Sequence, residues 1–504
     1  MFMVLPLVPL PVSVTEPTGM LSLTAATRII VENDADAAAS VLADVIAERT
    51  GLRPAVAGPG HDAIRPGDIV VRRTARQGEQ YTLHVGDTAR LEGADAGLFY
   101  AAQTLRQLLT DDREGWALPH VDIEDSPRFS YRGVMLDVAR TFFDVDTVKA
   151  FIDRASSLKF NRLHLHLSDD QGWRLQIDSR PLLTERGSTA AVGDRPGGFY
   201  TKDDFREIVR YAASRHMVVV PEIDLPGHTH AIGLAYPELV EAPVMNDGLL
   251  AQAKELGEAL PAAGEPYRGT GVGHSSVKIH GDATWDFLRD VLTELAELTP
   301  GPFLHVGGDE CLGTAQADFD VFIERVTALT TELGKTPIAW HEAGSAQVAE
   351  GTIGQYWGST TPAGEHADHA RRFAERGGSV IMSPSNTAYL DMKYDAEFPL
   401  GLDWAALIDL QTAYEWEPTA IVDALPAQAI LGVESPLWAE TIETLDDIDQ
   451  LIFPRVAAIA EVAWSPAATR EWTSFRERVG GLGAVWDAAG WAGHRPSEIA
   501  WSTR

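Results

Sequence analysis

The sequence predicts an α/β protein, a (β/α)₈ barrel preceded by a small α+β domain. Two observations lead to this fold class. Short apolar segments with the composition of strands recur eight times between residues 131 and 435. Segments with apolar residues at helical spacing separate many of them. This alternation is expected of eight parallel strands joined by helices that cross over the outside of a barrel.

The eight strand candidates are short, mostly apolar and followed by polar or aromatic residues. In chain order they are "YRGVMLDV", "RLHLHLS", "MVVVPEID", "FLHVGG", "PIAWHE", "TIGQYWG", "SVIMSPS" and "AILGVES". The helical patterns between them include "DTVKAFIDRASSLKF", "TKDDFREIVRYAASRH" and "TWDFLRDVLTELAEL". An open doubly wound sheet is the alternative, but no glycine-rich nucleotide fingerprint follows the first strand candidate.

The region before the barrel reads as a small mixed domain. We predict that it spans residues 1–125 and that the barrel domain spans residues 126–504. "RIIVEN", "DIVVRR" and "QYTLHVG" are rich in the β-branched residues of strands, whereas "DAAASVLADVIAERTG" and "GLFYAAQTLRQLLT" have helical spacing. The proline-containing "LPHVDIEDSPRFSYRG" marks the connection between the two domains.

Composition limits the classes of partner. The formal net charge of −32 argues against nucleic acid and anionic membranes, which repel an acidic surface. The single cysteine, Cys311, excludes an intramolecular disulfide. The apolar start "MFMVLPLVPLPVSV" lacks the basic flank of a signal peptide, so we read it as the first extended segment of the folded protein. A cytoplasmic location is therefore expected, with secretion not excluded.

The active site of such a barrel lies at the carboxyl ends of its strands, so the residues found there carry the functional prediction. Carboxylates, histidines and tryptophans are concentrated at these positions. In strand order they are Arg132, Asp137 and Arg140; Asp169, Asp170 and Trp173; Glu222, Asp224 and His228; Asp309 and Glu310; Trp340, His341 and Glu342; Tyr356 and Trp357; Tyr389 and Asp391; Trp438 and Glu440.

These residue types favour a carbohydrate ligand. Aromatic faces suit the apolar faces of sugar rings and methyl groups, and carboxylates and arginine suit hydroxyl groups. No lysine stands among them and no phosphate-binding loop is visible, which argues against phosphorylated ligands. The expected partner is a small-molecule carbohydrate.

Asp309 and Glu310 are adjacent, which restricts the chemistry. Glycoside hydrolysis usually takes two carboxyl groups, which retaining enzymes hold roughly 5 Å apart across the reacting bond. Neighbours on a regular strand point to opposite faces, so these two cannot form that pair unless the backbone bends at Gly307 and Gly308. A substrate that carries its own nucleophile, such as a 2-acetamido carbonyl, would need no second enzymic nucleophile.

Seven motifs together resemble the family 20 glycoside hydrolases, the β-N-acetylhexosaminidases. They are "HLHLSDDQGW", "PEIDLPGHTH", "HVGGDE", "WHE", "QYWG", "YLDMKY" and "ESPLWAET", collinear from about residue 126 to the end. The N-terminal region also resembles the small domain that precedes the barrel in that family. The resemblance implies retaining, substrate-assisted release of a terminal N-acetylhexosamine through an oxazolinium intermediate, without cofactor or metal.

The resemblance also implies a role for individual residues. Glu310 matches the general acid/base, Asp309 the carboxylate that holds the acetamido N–H, and Tyr389 the hydroxyl bound to the acetamido oxygen. Asp169 and His228 match a pair that supports the acid. The matching substrate contacts are Trp340, Trp357 and Trp438 around the acetamido methyl, Arg132, Asp391 and Glu440 at the sugar hydroxyls, and Trp404 beneath the leaving sugar.

Three alternatives remain beside this reading. His164 and His166 lie at i and i+2 on one face of a strand, a spacing that occurs in metal-dependent hydrolases. They sit inside the strand, however, and the sixth to eighth strands offer no histidine. A non-catalytic sugar-binding barrel would keep the tryptophans without needing Glu310. A related enzyme of the same family would release a disaccharide instead of one sugar.

Overall fold

The computed structural model describes residues 4–58, 63–75, 77–111 and 115–502. The chain divides into two compact units, residues 1–130 with 154–160 and 452–504, and residues 131–153 with 161–451. The predicted domains, 1–125 and 126–504, stay a prediction. The compact units differ from them because residues 452–504 belong to the first unit, where the buried ring of Trp464 packs edge-on against Tyr100. The first three residues of the apolar N-terminal segment lie outside the described residues.

The first unit is built on antiparallel and parallel strands around an apolar core, with two helices of its own near the N-terminus. Its strands are β1 (Ser13–Val14), β2 (Met20–Ser22), β3 (Arg28–Glu32), β4 (Ala55–Ala57), β5 (Ile69–Arg73), β6 (Tyr81–Val85), β7 (Ala89–Gly93), β8 (Thr110–Asp111), β9 (Trp116–Pro119) and β10 (Val121–Asp125). Its helices are α1 (Asp36–Thr50) and α2 (Asp95–Leu108). In the described residues, one sheet has the order β1-β10-β6-β7-β5-β3-β4 and another the order β2-β9-β8.

Residues 131–437, all of which the structure describes, contain a closed barrel of eight parallel strands. The strands are β11 (Tyr131–Asp137), β12 (Arg162–His166), β13 (Val218–Glu222), β14 (Phe303–His305), β15 (Thr336–Trp340), β16 (Ile353–Tyr356), β17 (Val380–Met382) and β18 (Ile430–Leu437). Pairing of β11 with both β12 and β18 closes the barrel. The predicted fold class is confirmed, and each strand candidate overlaps one of these strands, although β15 begins one residue before its candidate and β18 ends two residues after its candidate.

Helices follow most of the barrel strands. They are α3 (Val145–Ser157), α4 (Leu182–Glu185), α5 (Lys202–Ser214), α6 (His230–Ala235), α7 (Asp247–Leu256), α8 (Asp282–Leu298), α9 (Gln316–Glu332), α10 (His366–Glu375), α11 (Leu410–Tyr414) and α12 (Leu445–Ile452). Three more helices, α13 (Arg455–Trp464), α14 (Trp472–Gly481) and α15 (Gly483–Ala488), belong to the first unit. Among the described residues, no helix combines the length and the apolar character needed to cross a membrane.

The strand register brings polar side chains together at the carboxyl end of the barrel. Asp137 pairs with His166, His166 with Glu222, and Glu222 with His305 across four consecutive strands. All four side chains are fully buried. A layer of ionisable groups therefore lies directly below the loops that follow these strands.

Candidate active site

The backbone turns sharply just after β14, and this turn sets the direction of the two adjacent acids. Gly307 and Gly308 have φ angles of 70° and 106°, and Glu310 has a φ of 45°. A Cβ atom on Gly307 would lie 1.8 Å from Asp224 Oδ1, so no side chain fits there. Because the chain leaves extended geometry, Asp309 and Glu310 need not point to opposite faces. Positive φ at a non-glycine residue is costly and concentrates at functional sites.

Asp309 and Glu310 line a cavity of about 510 Å³ at the carboxyl ends of the strands. Six further residues of the predicted site line it with them. These are Trp357, Tyr389, Asp391, Trp404, Trp438 and Glu440. Four residues of the predicted site do not line it, namely Asp169, His228, Trp340 and Arg132.

Asp169 and His228 lie behind the two acids as a buried pair. Asp169 Oδ1 is 3.1 Å from His228 Nδ1. The other ring nitrogen of His228, Nε2, lies 3.8 Å from a carboxylate oxygen of Asp309 and 3.8 Å from one of Glu310. Burial would lower the pKa of His228, but Asp169, Asp224 and Asp309 outweigh it and raise that pKa well above its ordinary value. His228 is therefore a cation held against the acids by Asp169.

The electrostatic environment keeps Glu310 protonated up to neutral pH. Burial raises the pKa of Glu310 to about 7, with His228 opposing the rise and Asp309 adding to it. A carboxylic acid with a pKa close to the working pH is suited both to donate a proton and to take it back. Asp309 differs, because its Oδ1 atom is buried without a hydrogen-bond partner among the described residues. An unpaired buried oxygen in a cavity is available to a ligand donor.

Aromatic rings form one side of the cavity. Trp357 and Tyr389 both present their rings edge-on to Trp404, with centroid separations of 6.1 Å and 6.0 Å. Trp438 lies 6.5 Å from Tyr389. Trp404 is 55% exposed, so it stands at the mouth and offers an open face. Burial, Asp391 and Asp309 raise the pKa of Tyr389 well above its ordinary value, which keeps the phenol a hydrogen-bond donor.

Trp340 differs from the other tryptophans because it is fully buried. Its ring lies 6.0 Å from that of Trp438, and its Nε1 donates to Glu222 Oε1 at 3.0 Å. Trp340 thus supports the wall that Trp438 presents to the cavity. The rule that active-site residues follow the barrel strands placed Trp340 at the correct end of the barrel. It does not distinguish a ring that lines the cavity from a buried ring behind the lining.

The structure contradicts the prediction for Arg132. This residue is the second of β11, hydrogen-bonded through its backbone N–H to Asn161 Oδ1, and it is remote from the carboxyl end of its strand. Arg140, three residues past the end of β11, lines the cavity instead. Its guanidinium lies 2.8 Å from Asp169 Oδ2 and 4.8 Å from the Trp438 ring centre. The strand-end rule itself identifies Arg140, because only residues beyond a strand reach this face.

Two other carboxylates complete the polar part of the site. Burial raises the pKa of Glu440, while Arg140 opposes the rise. Glu342, which follows β15, receives the Trp357 indole N–H at 3.0 Å on both of its oxygens. This contact fixes the ring of Trp357. Burial and Asp309 raise the pKa of Glu342 well above its ordinary value.

Another part of the cavity lining comes from α7 and the loop after it, which the sequence did not predict. Its lining residues are Gln252, Glu255, Leu256, Thr270 and Val272. We call residues 246–272 the α7 wall. Its anchors lie in the loop after β12, where Gln171 Nε2 donates to the carbonyl of Gly269 at 2.8 Å. Asp170 Oδ1 accepts the Ser275 hydroxyl at 2.5 Å, just past the wall.

Metal ligation has candidate residues in the described part of the chain. Four groups of three side chains bring ligand atoms within 4.8 Å of one another, and two of these groups contain His164 or His166. Both ring nitrogens of His164 face carboxylates, Glu434 at 2.8 Å and Glu222 at 3.0 Å. Burial would lower the pKa of His164, but these two carboxylates raise it to about 9, so a metal ion would have to displace a proton to bind this ring. The absence of a metal requirement stays a prediction.

A barrel whose strand ends surround paired acids and aromatic rings with a cavity of sugar size defines a glycoside hydrolase. The chain belongs to glycosyl hydrolase family 20. The model of the family's catalytic domain matches residues 129–467, and the model of its domain 2 matches residues 4–126.

Similar proteins include named beta-N-acetylhexosaminidases and solved structures of related enzymes. A beta-N-acetylhexosaminidase of Cellulomonas fimi is 40% identical over 414 residues, covering 81% of this chain and 78% of the relative. A solved family 20 beta-N-acetylglucosaminidase is 52% identical with a TM-score of 0.90, covering 98% of this chain and 99% of that one. A mutant Streptomyces plicatus beta-hexosaminidase in complex with product GlcNAc is 40% identical with a TM-score of 0.90, covering 99% and 98%.

Proposed function

We propose that this glycoside hydrolase is a β-N-acetylhexosaminidase. It releases terminal N-acetylglucosamine or N-acetylgalactosamine from the non-reducing end of β-glycosides. The observation that carries the proposal is the turn at Gly307 and Gly308, after which Asp309 and Glu310 enter one cavity side by side. Two adjacent acids suit a reaction in which one moves a proton and the other holds a nucleophile that belongs to the substrate.

Glu310 is the proposed general acid/base. In the first step it donates its proton to the glycosidic oxygen as the bond between that oxygen and C1 breaks. The acetamido carbonyl oxygen of the sugar attacks C1 from the opposite face and forms the oxazolinium ring. In the second step the Glu310 carboxylate takes a proton from water, whose oxygen attacks C1 and reopens the ring. Two inversions give net retention, and a pKa of about 7 serves both steps.

Asp309 and Tyr389 are the proposed contacts of the acetamido group. The unpaired Asp309 oxygen accepts the amide N–H and stabilises the positive charge that develops on the ring nitrogen. The Tyr389 hydroxyl donates to the carbonyl oxygen and holds it below C1. Trp357 and Trp438 enclose the methyl group, with Trp340 supporting Trp438 from behind.

The remaining lining residues are proposed to bind the sugar hydroxyls and the leaving group. Asp391, Glu440 and Arg140, which replaces Arg132 in this role, provide charged hydrogen-bonding groups for hydroxyls. Trp404 is the platform for the leaving sugar at the mouth. Enclosure of one sugar by these side chains favours release of a monosaccharide over release of a disaccharide by a related enzyme.

The decisive experiment is a panel of aryl β-glycosides with and without the 2-acetamido group. We expect cleavage of the N-acetylglucosaminide and the N-acetylgalactosaminide and very slow cleavage of the plain glucoside, because the glucoside lacks the nucleophile. Equal rates on the glucoside would contradict substrate assistance. Binding of the sugars without turnover would instead favour a sugar-binding barrel, and release of disaccharides from oligosaccharides would favour the related enzyme.

A further inference from the structure

The carboxylate of Glu222 is close to an unusually large number of nitrogen atoms. Glu222, the last residue of β13, is fully buried. Its Oε1 lies 3.0 Å from Trp340 Nε1 and 2.9 Å from His305 Nδ1. Its Oε2 lies 2.5 Å from His166 Nδ1 and 3.0 Å from His164 Nε2. Four nitrogen atoms from three other strands therefore lie within 3.0 Å of a single side chain, and two of them, Trp340 Nε1 and His166 Nδ1, are hydrogen-bonded to it.

Two of the three histidines around Glu222, His164 and His166, have a raised pKa and balance its charge, whereas burial lowers the pKa of the third, His305. His166 faces Glu222 with Nδ1 and Asp169 Oδ2, at 2.9 Å, with Nε2. Burial would lower the pKa of His166, but Glu222 and Asp169 raise it well above its ordinary value. The result is a continuous path of charge-assisted hydrogen bonds from Glu222 through His166 to Asp169, the residue that holds His228 against the two acids.

The second path from Glu222 leads to the aromatic wall. Trp340 is held by its single indole N–H on Glu222, and its ring packs against Trp438, which lines the cavity. Leaving this buried N–H without an acceptor would cost free energy, so the hydrogen bond to Glu222 favours the one orientation of the ring that makes it. Glu222 therefore has two connections. Through His166 it reaches Asp169, which supports the proposed acid, and through Trp340 it reaches the wall that is proposed to enclose the acetamido group.

We propose that Glu222 is a positioning residue that sets how tightly the pocket fits the acyl group of the substrate, acting through Trp340 and Trp438. It contacts no substrate itself. The inference rests on the proposed function, in which Trp438 encloses the acetamido methyl group. A wall held this way excludes a longer acyl chain, and a loosened wall admits it.

The test compares two aryl β-glucosaminides that differ by one methylene, the N-acetyl and the N-propionyl compound. One methylene in a tight pocket is worth roughly 10-fold or more in kcat/KM, so we expect the wild type to prefer the N-acetyl compound by about that factor. Glu222→Gln removes the charge that holds the ring while conserving size. We expect the preference to fall to roughly 3-fold or less, through a lower KM for the N-propionyl compound relative to the N-acetyl compound.

Glu434→Gln is the matched control. Glu434 is equally buried in the barrel interior and binds His164, Gln355 Nε2 at 2.7 Å and the Tyr131 hydroxyl at 2.6 Å. Within the described residues it makes no hydrogen bond to Trp340 or Asp169. We expect this variant to keep the acyl preference of the wild type. Loss of the preference in both variants would overturn the proposal, because general loosening of the interior would then be the cause. An unchanged preference in Glu222→Gln would overturn it directly.

Trp340→Phe carries the test if Glu222→Gln does not fold, because it removes the indole N–H and leaves Glu222 with its three histidines. A reduced preference supports the proposal, and the wild-type preference would overturn it. The proposed function fails in a different way, namely if the wild type cleaves neither acyl compound or cleaves the plain glucoside as fast.

Discussion

The two walls of the cavity are built on different principles. One wall, which we call the strand-end wall, consists of lining residues that follow barrel strands, among them Asp309, Glu310 and Trp438. Fully buried side chains such as Trp340 support it. The α7 wall is formed by a helix and a loop that do not directly follow any barrel strand, and its Leu256 is 58% exposed. Buried support is concentrated on the wall that carries the proposed catalytic acids, and we infer that the other wall can vary with the leaving group.

This contrast predicts how strongly each wall responds to substitution. Changes in the strand-end wall should alter turnover by orders of magnitude and for every substrate. Changes in the α7 wall and at the mouth should alter KM by small factors and only for substrates with a large leaving group. The comparison would be wrong if substitutions in the α7 wall lowered turnover more than substitutions in the strand-end wall.

The largest effect is expected for Glu310→Gln. The amide cannot donate a proton to the glycosidic oxygen, so turnover of a disaccharide should fall by ~10²–10⁴. An aryl glycoside whose leaving group departs as a stable anion needs less protonation, so its first step should lose much less. Steady-state kinetics on the two substrates measure the difference. Turnover of the disaccharide close to that of the wild type would remove Glu310 from the acid role.

Asp309→Asn should have the next largest effect. It removes the charge that stabilises the oxazolinium ring, and such preorganised stabilisation is worth ~10²–10³ in turnover. It should also move the pH profile. Asp309 helps to raise the pKa of Glu310, and the protonated acid is the active form, so activity falls as pH rises through about 7. Without Asp309 the pKa drops and the alkaline limb of kcat/KM should move to lower pH. An alkaline limb at the wild-type position would contradict this coupling.

The strand-end wall is also the part that the sequence predicted best. Eight recurring apolar segments gave all eight barrel strands, and the residues that follow them include most of the lining side chains. The prediction for Arg132 failed for a simple reason, and the role of Trp340, which stays a prediction, needs a distinction that the sequence does not make. Arg132 was taken from the beginning of a strand, where the side chain lies at the wrong end of the barrel. Trp340 stands at the correct end, but periodicity does not separate a lining ring from a buried one behind it.

The α7 wall could not be predicted because no rule ties it to a strand. The segment between β13 and β14 runs from residue 223 to residue 302, and nothing in its pattern indicates that residues 246–272 turn back over the cavity. Its position depends on long-range contacts such as that between Gln171 and Gly269. The glycines of "HVGGDE" are an intermediate case. Their spacing indicated a bend or a close approach, and the steric reason, Asp224, became visible only in the structure.

His228→Asn tests the buried support of the strand-end wall. We expect turnover to fall about tenfold, since a small misplacement of a catalytic group lowers the rate by up to ~10²-fold. Asparagine is chosen because His228 has a φ of 53°, which asparagine tolerates better than most residues. The cationic ring lowers the pKa of Glu310, so its loss should raise that pKa. The alkaline limb should therefore move to higher pH, opposite to Asp309→Asn. Shifts of the same sign in both variants would refute this assignment of charges.

Trp404→Ala addresses the mouth of the cavity. The exposed ring stacks on the leaving sugar in the proposed complex, and an aromatic contact of about 1 kcal/mol corresponds to roughly a fivefold change. We expect KM to rise by about that factor for a disaccharide and to change little for a methyl glycoside, whose leaving group does not reach the ring. An equal rise in KM for both substrates would assign Trp404 to the bound sugar instead of the leaving group.

The smallest effect is expected on the α7 wall itself. Leu256→Ala removes apolar surface that is only partly buried, so KM for a trisaccharide or a disaccharide should rise by about twofold, with kcat unchanged. Leu250→Ala is the matched control, because Leu250 lies on the same helix, is 41% exposed and does not line the cavity. We expect that variant to have wild-type kinetics. If Leu256→Ala lowered kcat by tenfold or more while Leu250→Ala did not, the α7 wall would act on the reacting bond, and the division of tasks between the two walls would be wrong.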